Sequence, residues 1–249
     1  MKKIITTVLF AMLLLPGLTS ASEMAGPHYK VKLDPTDKAS LQRGMKYFVN
    51  YCLNCHSANF MRYSRAAKDL GISKDVAIKN LMFTASKFGE HMKIAMKPAD
   101  SKKWFGNPPP DLSVIARTKK EGADWLYTYL LTFYVDDSRP FGVNNLKFPN
   151  VGMPDVLWEL QGLQKPIYKT VMKDGKEHHE FDHFELVQAG KLSDTEYKAM
   201  VKDLVNFLAY MSEPSKHERT SMGIWVLLFL VVFFLVAYPM KKEFWKDIH

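Results

Sequence analysis

Apolar residues recur at helical spacing in two stretches of this chain, and both are predicted to form amphipathic helices. The first stretch begins at Ser40, and its apolar positions are Leu41, Gly44, Met45, Phe48 and Tyr51. The second begins at Ser193, which forms a capping-box signature with Glu196, and it ends before Pro214. Its apolar positions are Tyr197, Met200, Val201, Leu204, Val205, Leu208 and Met211. The two apolar faces are candidates for the core of a mostly α-helical domain.

Weaker patterns lie between these two stretches. Helical segments are predicted between Phe60 and Met96, over 111–117, and over 124–134. Residues 104–110 (WFGNPPP) predict an extended loop, because proline removes a backbone donor and disfavours helix at the residue before it. The middle of the domain is therefore predicted to consist of short helices separated by loops.

Two further segments are predicted to be irregular. Residues 139–182 are rich in Pro, Gly, Asn and charged side chains, which predicts a long excursion with a short hairpin around Asp174 and Gly175. The polar, proline-containing lead over 23–38 shows no apolar period. We expect it to lie as an arm on the domain surface or on a partner.

The first residues have the pattern of a secretory signal peptide. Lys2 and Lys3 precede a twelve-residue apolar run, and small residues follow at the spacing that a signal peptidase reads. Twelve residues give about 18 Å of helix, whereas the hydrocarbon core of a membrane is about 30 Å thick. We therefore predict cleavage after Ala21 rather than a transmembrane helix.

The other end of the chain predicts a membrane anchor. Residues 222–238 (MGIWVLLFLVVFFLVAY) are uncharged, and Trp225 and Tyr238 lie where aromatic rings favour the headgroup level. Lysines follow this run, so the positive-inside rule predicts a cytoplasmic C-terminus. The predicted organisation is a signal peptide (1–21), an exported periplasmic domain (22–220), a transmembrane anchor (221–239) and a cytoplasmic tail (240–249).

The charge balance excludes one class of function. The chain has a formal net charge of +8, and part of this excess comes from the lysines at its two ends. Recognition of nucleic acid needs clustered Lys and Arg in a compartment that contains nucleic acid. We therefore expect no nucleic-acid partner.

The strongest chemical signal is Cys52-Leu53-Asn54-Cys55-His56. Two thiols at this spacing can add to the vinyl groups of one haem, while the adjacent histidine can bind the iron. A zinc site would need further cysteines, and Cys52 and Cys55 are the only two in the chain. A thioredoxin-like pair would need a βαβ unit, and a disulfide would leave His56 unexplained. The motif predicts one covalent haem c bound by Cys52, Cys55 and His56.

The sixth iron ligand has two candidates. Fourteen methionines are present, and those on predicted helices are expected to fill the core. Met96 and Met153 lie on predicted loops that could fold over the haem. A methionine ligand suits an electron carrier, whereas an open iron would suit a haem enzyme. His178, His179 and His183 could form a metal site, but in a loop rich in Lys and Glu they are more often solvated.

Several segments resemble the cytochrome c1 subunits of respiratory cytochrome bc1 complexes. In chain order they are RGMKYFVNYCLNCHS (43–57), PPDLSVIART (109–118), DWLYTYLLTFY (124–134), NNLKFPNVGMPDVLWELQG (144–162), DLVNFLAYMSEP (203–214) and the single C-terminal anchor. The resemblance implies a class I cytochrome c-like haem domain, mostly α-helical with long loops. It also implies that Met153 is the axial methionine, that Arg117 meets the haem propionates, and that the PPDLS turn packs against the haem edge.

The same resemblance implies a role and partners. The haem would accept an electron from the Rieske iron–sulfur protein and pass it to a periplasmic cytochrome c. Quinol oxidation would belong to neighbouring subunits, including cytochrome b, so this chain would be an electron carrier within a quinol–cytochrome c oxidoreductase of a bacterial inner membrane. Two alternatives remain open, a free-standing anchored cytochrome that feeds a terminal oxidase and a monohaem enzyme.

Overall fold

The computed structural model describes residues 26–173 and 175–247. Its helices are α1 (Lys38–Tyr47), α2 (Tyr63–Leu70), α3 (Lys74–Asn80), α4 (Pro98–Phe105), α5 (Ile115–Thr118), α6 (Ala123–Leu131), α7 (Trp158–Gln161), α8 (Asp194–Ser212) and α9 (Lys216–Phe244). Its strands are β1 (Ala58–Arg62), β2 (His91–Met92), β3 (Phe133–Val135), β4 (Val143–Asn145), β5 (Gly162–Lys173) and β6 (Lys176–Ala189). The strands form three antiparallel pairs, β1 with β2, β3 with β4 and β5 with β6. The predicted signal peptide lies outside the described residues.

Helices α1 and α8 cross at the centre of the core. Gly44 makes this possible, because a Cβ there would lie 2.1 Å from the carbonyl oxygen of Asp203 and 2.7 Å from Cβ of Phe207. Beside the crossing, Arg43 donates two hydrogen bonds to the Asp203 carboxylate, at 2.5 and 3.0 Å. The rings of Phe48 and Phe207 pack with their centroids 5.5 Å apart. A glycine and one ion pair thus fix how closely the two main helices approach.

Both predicted core helices are confirmed. Helix α1 begins after Asp37, whose carboxylate accepts a hydrogen bond from the Ser40 amide, and it continues into a π-helical turn over Phe48–Cys52. Helix α8 begins with the predicted capping box of Ser193 and Glu196. The apolar faces read from the sequence are buried in one cluster. The first helix therefore leads directly to Cys52, as its pattern indicates.

The N-terminal arm lies against α6. The amide of Tyr29 donates to the hydroxyl of Thr128 at 3.0 Å, and that hydroxyl donates back to the Tyr29 carbonyl at 3.1 Å. The amide of Val31 donates to the Asp124 carboxylate at 2.8 Å. For its described part, this confirms the expected arm on the domain surface.

The prediction of an irregular excursion over 139–182 is wrong. This region contains β4, α7, all of β5 and the first half of β6, and the two long strands form one antiparallel ribbon. The predicted hairpin lies in the right place, because Lys173 pairs with Lys176, although Asp174 itself lies outside the described residues. Most of the ribbon is exposed on both faces. Its sequence therefore lacks the apolar alternation that marks a half-buried strand.

Three predicted element boundaries also differ from the structure. Helix α4 includes Trp104 and Phe105, so the extended loop begins only at Gly106. The helix predicted over 111–117 shortens to the single turn α5, because the Asp111 carboxylate accepts the Ser113 amide in a local turn. Helix α6 ends at Leu131, and the residues after Thr132 form β3 instead of a last helical turn. Strand pairing with β4 overrides the weak helical pattern there.

The C-terminal helix is longer than the apolar run. Helix α9 begins at Lys216, before the anchor predicted over 221–239, and residues 213–215 alone separate it from α8. Residues 218–244 form a candidate membrane span. Its most apolar 18-residue window has a mean hydropathy of 2.5, and none of that window is buried in the protein. Because 27 residues give about 40 Å of helix, this helix is long enough to cross a membrane.

Candidate functional site

A largely apolar cavity of about 600 Å³ opens beside the end of α1. Its volume is in the range of pockets that bind small molecules and cofactors. The cavity brings together Cys52, Cys55, His56 and Met153, which come from two segments about 100 positions apart. The rest of the wall comes from Tyr51, the proline loop and the residues after it as far as Lys119, α6, the loop before α7, and Leu204 and Leu208 of α8. Four of the five predicted site residues therefore share one cavity.

Local backbone bonds position His56. The amide of His56 donates to the carbonyl of Cys52 at 2.8 Å, so the CxxCH segment closes as a turn at the end of the π-helical turn. Atom Nδ1 of His56 lies 2.7 Å from the carbonyl oxygen of Pro110. A carbonyl only accepts, so Nδ1 carries the proton and Nε2 keeps its lone pair for a metal. Burial lowers the pKa of His56, which also favours the neutral ring.

Both cysteines are free thiols in the structure. Burial raises the pKa of Cys52 to about 12, and burial also raises the pKa of Cys55. The two side chains face the same cavity one helical turn apart. A thiolate nucleophile does not match this setting, whereas a pair of neutral thiols beside an apolar cavity suits thioether attachment of a haem.

The loop that carries Met153 is fixed by hydrogen bonds. Asn150 has a φ of 63°, and its amide donates to the side-chain oxygen of Asn144 at 2.8 Å. The guanidinium of Arg139 donates to the side-chain and backbone oxygens of Asn150, each at 3.1 Å. At the cavity, the hydroxyl of Tyr129 donates to the sulfur of Met153 at 3.3 Å. These contacts hold the thioether in the cavity wall.

The other two candidates lie elsewhere. Met96 lies in the segment before α4 and is not among the residues that line the cavity. Arg117 is exposed on α5 and does not line the cavity either, although its neighbours Thr118 and Lys119 do. The ammonium group of Lys119 lies 4.1 Å from the ring centroid of Trp125. Lys119, not Arg117, is therefore the cationic side chain of the wall.

Sequence reasoning missed the aromatic part of the wall. The rings of Trp125 and Tyr129 stack with centroids 4.9 Å apart, and Phe148 meets Trp125 edge-on at 6.3 Å. Trp125 and Tyr129 are four residues apart and share one face of α6. The sequence shows this spacing, but the same spacing is equally typical of aromatic residues that pack in a core.

Buried polar groups accompany the methionine loop. Burial raises the pKa of Asp155 to about 6, and this carboxylate accepts a hydrogen bond from the Leu157 amide at 3.0 Å. Burial also raises the pKa of Tyr129, with a smaller contribution from the charge of Asp155. Tyr129 therefore stays protonated and can donate to sulfur at every physiological pH.

The histidine cluster does not form a metal site in the part of the chain that the structure describes. His178, His179 and His183 lie along β6, where His178 pairs with Val171 and His179 with Thr170. Consecutive strand residues point to opposite faces, so His178 and His179 diverge. All three side chains are exposed.

The residues of the cavity fit a haem. Its apolar wall can exclude water from a porphyrin, two thiols and a neutral imidazole lie at one side, and a thioether is held by Tyr129. Imidazole and thioether together are the axial pair of electron-transferring c-type haems. The cavity would therefore suit an iron porphyrin, with His56 and Met153 as the candidate iron ligands.

Comparison with known proteins gives full-length matches. A model described as the cytochrome C1 family matches residues 28–248. Cytochrome c1 of Allochromatium vinosum is 47% identical over 243 residues, which cover 97% of this chain and 98% of that protein. The ammonia monooxygenase gamma subunit of Nitrosomonas europaea is 45% identical over 249 residues, covering 99% and 100%. Cytochrome c1 of Blastochloris viridis is 27% identical over 245 residues, covering 85% and 82%.

Proposed function

The chain belongs to the cytochrome c1 family. We propose that it is the haem-carrying subunit of a cytochrome bc1 complex. In this role it receives an electron from the Rieske iron–sulfur protein and passes it to a soluble periplasmic cytochrome c. Family membership implies a haem c and electron transport. The observation that carries the proposal is the cavity that joins the CxxCH motif to Met153.

We assign the cofactor to Cys52, Cys55 and His56. The two cysteines would form thioether bonds with one haem, and Nε2 of His56 would bind its iron, with the ring orientation set by the Pro110 carbonyl. The haem supplies a one-electron centre whose potential depends on its axial ligands and surroundings. The apolar wall contributed by α6 and α8 keeps water from that centre.

We assign the sixth position to Met153. Placement in the cavity supports Met153 over Met96, and the hydrogen bond from Tyr129 orients the sulfur. The role of Arg117 at the propionates remains a prediction from the family resemblance. Lys119 lines the cavity instead, so it is the better placed cation for a haem carboxylate.

The domain organisation is also part of the proposal. Residues 1–21 would be a signal peptide and 22–220 a periplasmic domain of the class I cytochrome c type. An anchor over 221–239 would lead to a cytoplasmic tail over 240–249. The candidate span over 218–244 and the bacterial relatives fit a protein anchored in the inner membrane, beside cytochrome b and the Rieske protein.

Purification of the full chain from membranes in mild detergent tests the complex. We expect a b-type haem and an iron–sulfur protein to accompany it, and added quinol to reduce its c-type haem. A chain shortened before Lys216, which lacks α9, is the matched control and should lose both companions. Recovery of the full chain with its c-type haem alone would contradict the proposal and favour the free-standing carrier.

Paired substitutions test the ligand assignment. Met153→Leu should lower the midpoint potential, open the iron to carbon monoxide and abolish the weak near-infrared charge-transfer band, because a thioether favours ferrous iron. Met96→Leu is the control and should change none of these, since such exchanges usually cost less than about 1.5 kcal/mol in packing. The reverse pattern would refute the assignment. An iron that reacts with carbon monoxide or peroxide in the unmodified protein would favour the enzyme alternative.

A further inference from the structure

Positive charge is concentrated in one segment of the chain. Residues 87–120 contain eight Lys or Arg and three Asp or Glu. This segment therefore contributes +5 of the formal net charge of +8, although it makes up only about one seventh of the sequence. A local excess of this size produces a directional electrostatic field if the groups lie on one surface.

The structure places residues 98–120, which hold five of the eight cations of this segment, beside the cavity. Their backbone meets the haem-motif loop, because the amide of Leu112 donates to the Ser57 carbonyl at 2.9 Å and the Pro110 carbonyl accepts from His56. Phe105, residues 107–110 and Lys119 line the cavity itself. We use the name basic face for α4 together with residues 106–120.

The two lysines at the end of α4 are not neutralised by carboxylates of the described residues. Lys102 and Lys103 are exposed in the last turn of α4, and no carboxylate of a described residue lies within salt-bridge distance of either. The Asp111 carboxylate is occupied locally, because its oxygens accept the amides of Asn59 and Ser113, both at 2.8 Å. The lysine charges are therefore directed to solvent.

Exposed aromatic side chains accompany these lysines. Trp104, which follows Lys103 on α4, is 60% exposed. Phe141 is 39% exposed and packs on Phe105 of the cavity wall with centroids 6.0 Å apart. Protein-binding surfaces are typically enriched in aromatic residues and have a polar rim. Exposure of large apolar side chains to water is unfavourable unless a partner covers them.

We infer that the basic face docks a soluble electron-transfer protein whose own contact surface is acidic. This inference rests on the proposed function and specifies the partner of its site. Opposite charge accelerates encounter by roughly 10- to 1,000-fold at low ionic strength, and it orients the partner toward the cavity mouth. The aromatic side chains then supply short-range contact beside the redox centre.

One carrier in two charge states tests the inference. The probe is a basic soluble cytochrome c and the same protein after succinylation of its lysines, which changes the sign of its surface charge. The prereduced, full-length holoprotein in detergent is mixed with each carrier, and oxidation of its haem is followed by stopped flow. Binding to each carrier is measured in parallel, because affinity does not depend on electron transfer.

We expect the succinylated carrier to bind more tightly and to oxidise the haem at least about tenfold faster at low ionic strength. This preference should shrink as salt rises toward 0.15 M, where the Debye length is about 8 Å. The double variant Lys102→Glu with Lys103→Glu should reverse the preference. The matched control is Lys165→Glu with Lys176→Glu, because these exposed lysines lie on the β5–β6 ribbon, and it should keep the preference.

Faster oxidation by the unmodified basic carrier would overturn the inference. So would a preference that both double variants leave unchanged. If a haem-loaded chain transferred electrons to neither carrier, the proposed function itself would fail, and the binding measurements would still report whether the basic face selects an acidic partner.

Discussion

Replacing Gly44 by alanine tests whether the haem motif depends on the crossing of α1 and α8. The added Cβ would lie 2.1 Å from the Asp203 carbonyl oxygen, and ordinary contacts begin at about 3.5 Å. The obstacle is backbone, so a rotamer change cannot relieve it and the helices must separate by more than about 1 Å. Separation would also loosen the packing of Phe48 against Phe207, next to the π-helical turn that ends at Cys52.

The magnitude follows from two opposing effects. Overpacking a core typically costs about 1–3 kcal/mol, and a clash with backbone belongs at the upper end of that range. Alanine regains about 1 kcal/mol of helix propensity relative to glycine. We expect a net loss of about 2 kcal/mol in the free energy of unfolding, which lowers the melting temperature by about 4–8 °C in a protein of this size.

Thermal unfolding monitored by circular dichroism and by haem absorbance is the assay. Gly223→Ala is the matched control, because Gly223 is also helical and a Cβ there meets nothing within 4 Å. We expect that variant to melt like the unmodified protein. If Gly44→Ala also melted at the unmodified temperature, the close approach of the two helices would be refuted.

Three other predictions concern the methionine, the anchor and the end of α8. Tyr129→Phe removes the hydrogen bond to the Met153 sulfur, which should strengthen sulfur donation to ferric iron and lower the midpoint potential by about 20–40 mV in redox titrations. Tyr127→Phe is its control, because the Tyr127 hydroxyl donates to a backbone carbonyl of α8 and not to sulfur. Ending the chain after Pro214 should release a soluble domain with an unchanged c-type spectrum, because α9 begins only two residues later. A chain that also lacks Ser212 should unfold at lower denaturant, since the Ser212 hydroxyl accepts the Ala116 amide at 3.1 Å.

Clear outcomes would contradict each of these. Equal potentials for the two tyrosine variants would show that Tyr129 does not affect the iron ligand. Loss of haem on removal of α9 alone would show that the anchor is part of the fold. Equal stability of the two shortened chains would show that the Ser212 hydrogen bond does not stabilise the contact between α8 and α5.

Local signals in the sequence were sufficient for several parts of this protein. The CxxCH motif, the capping box at Ser193 and the apolar run from Met222 each act within a few residues, so each can be read without knowledge of the fold. The apolar face that begins at Leu41 could likewise be read, because helical periodicity is local and the core simply buries it.

The tertiary structure alone decided what depends on distant contacts. The residue pattern alone left Met96 and Met153 equivalent as loop methionines, and only the family resemblance favoured Met153. The fold adds that Met153 lies beside Tyr129 in the cavity. Lys119 lines the wall, whereas Arg117 is exposed on the single turn of α5 that precedes it, and the residue pattern does not show which of the two faces the cavity. The length of the β5–β6 ribbon could not be predicted from the sequence for a related reason. Its strands are specified by pairing with each other, and an exposed ribbon imposes no alternation of apolar and polar residues on the sequence.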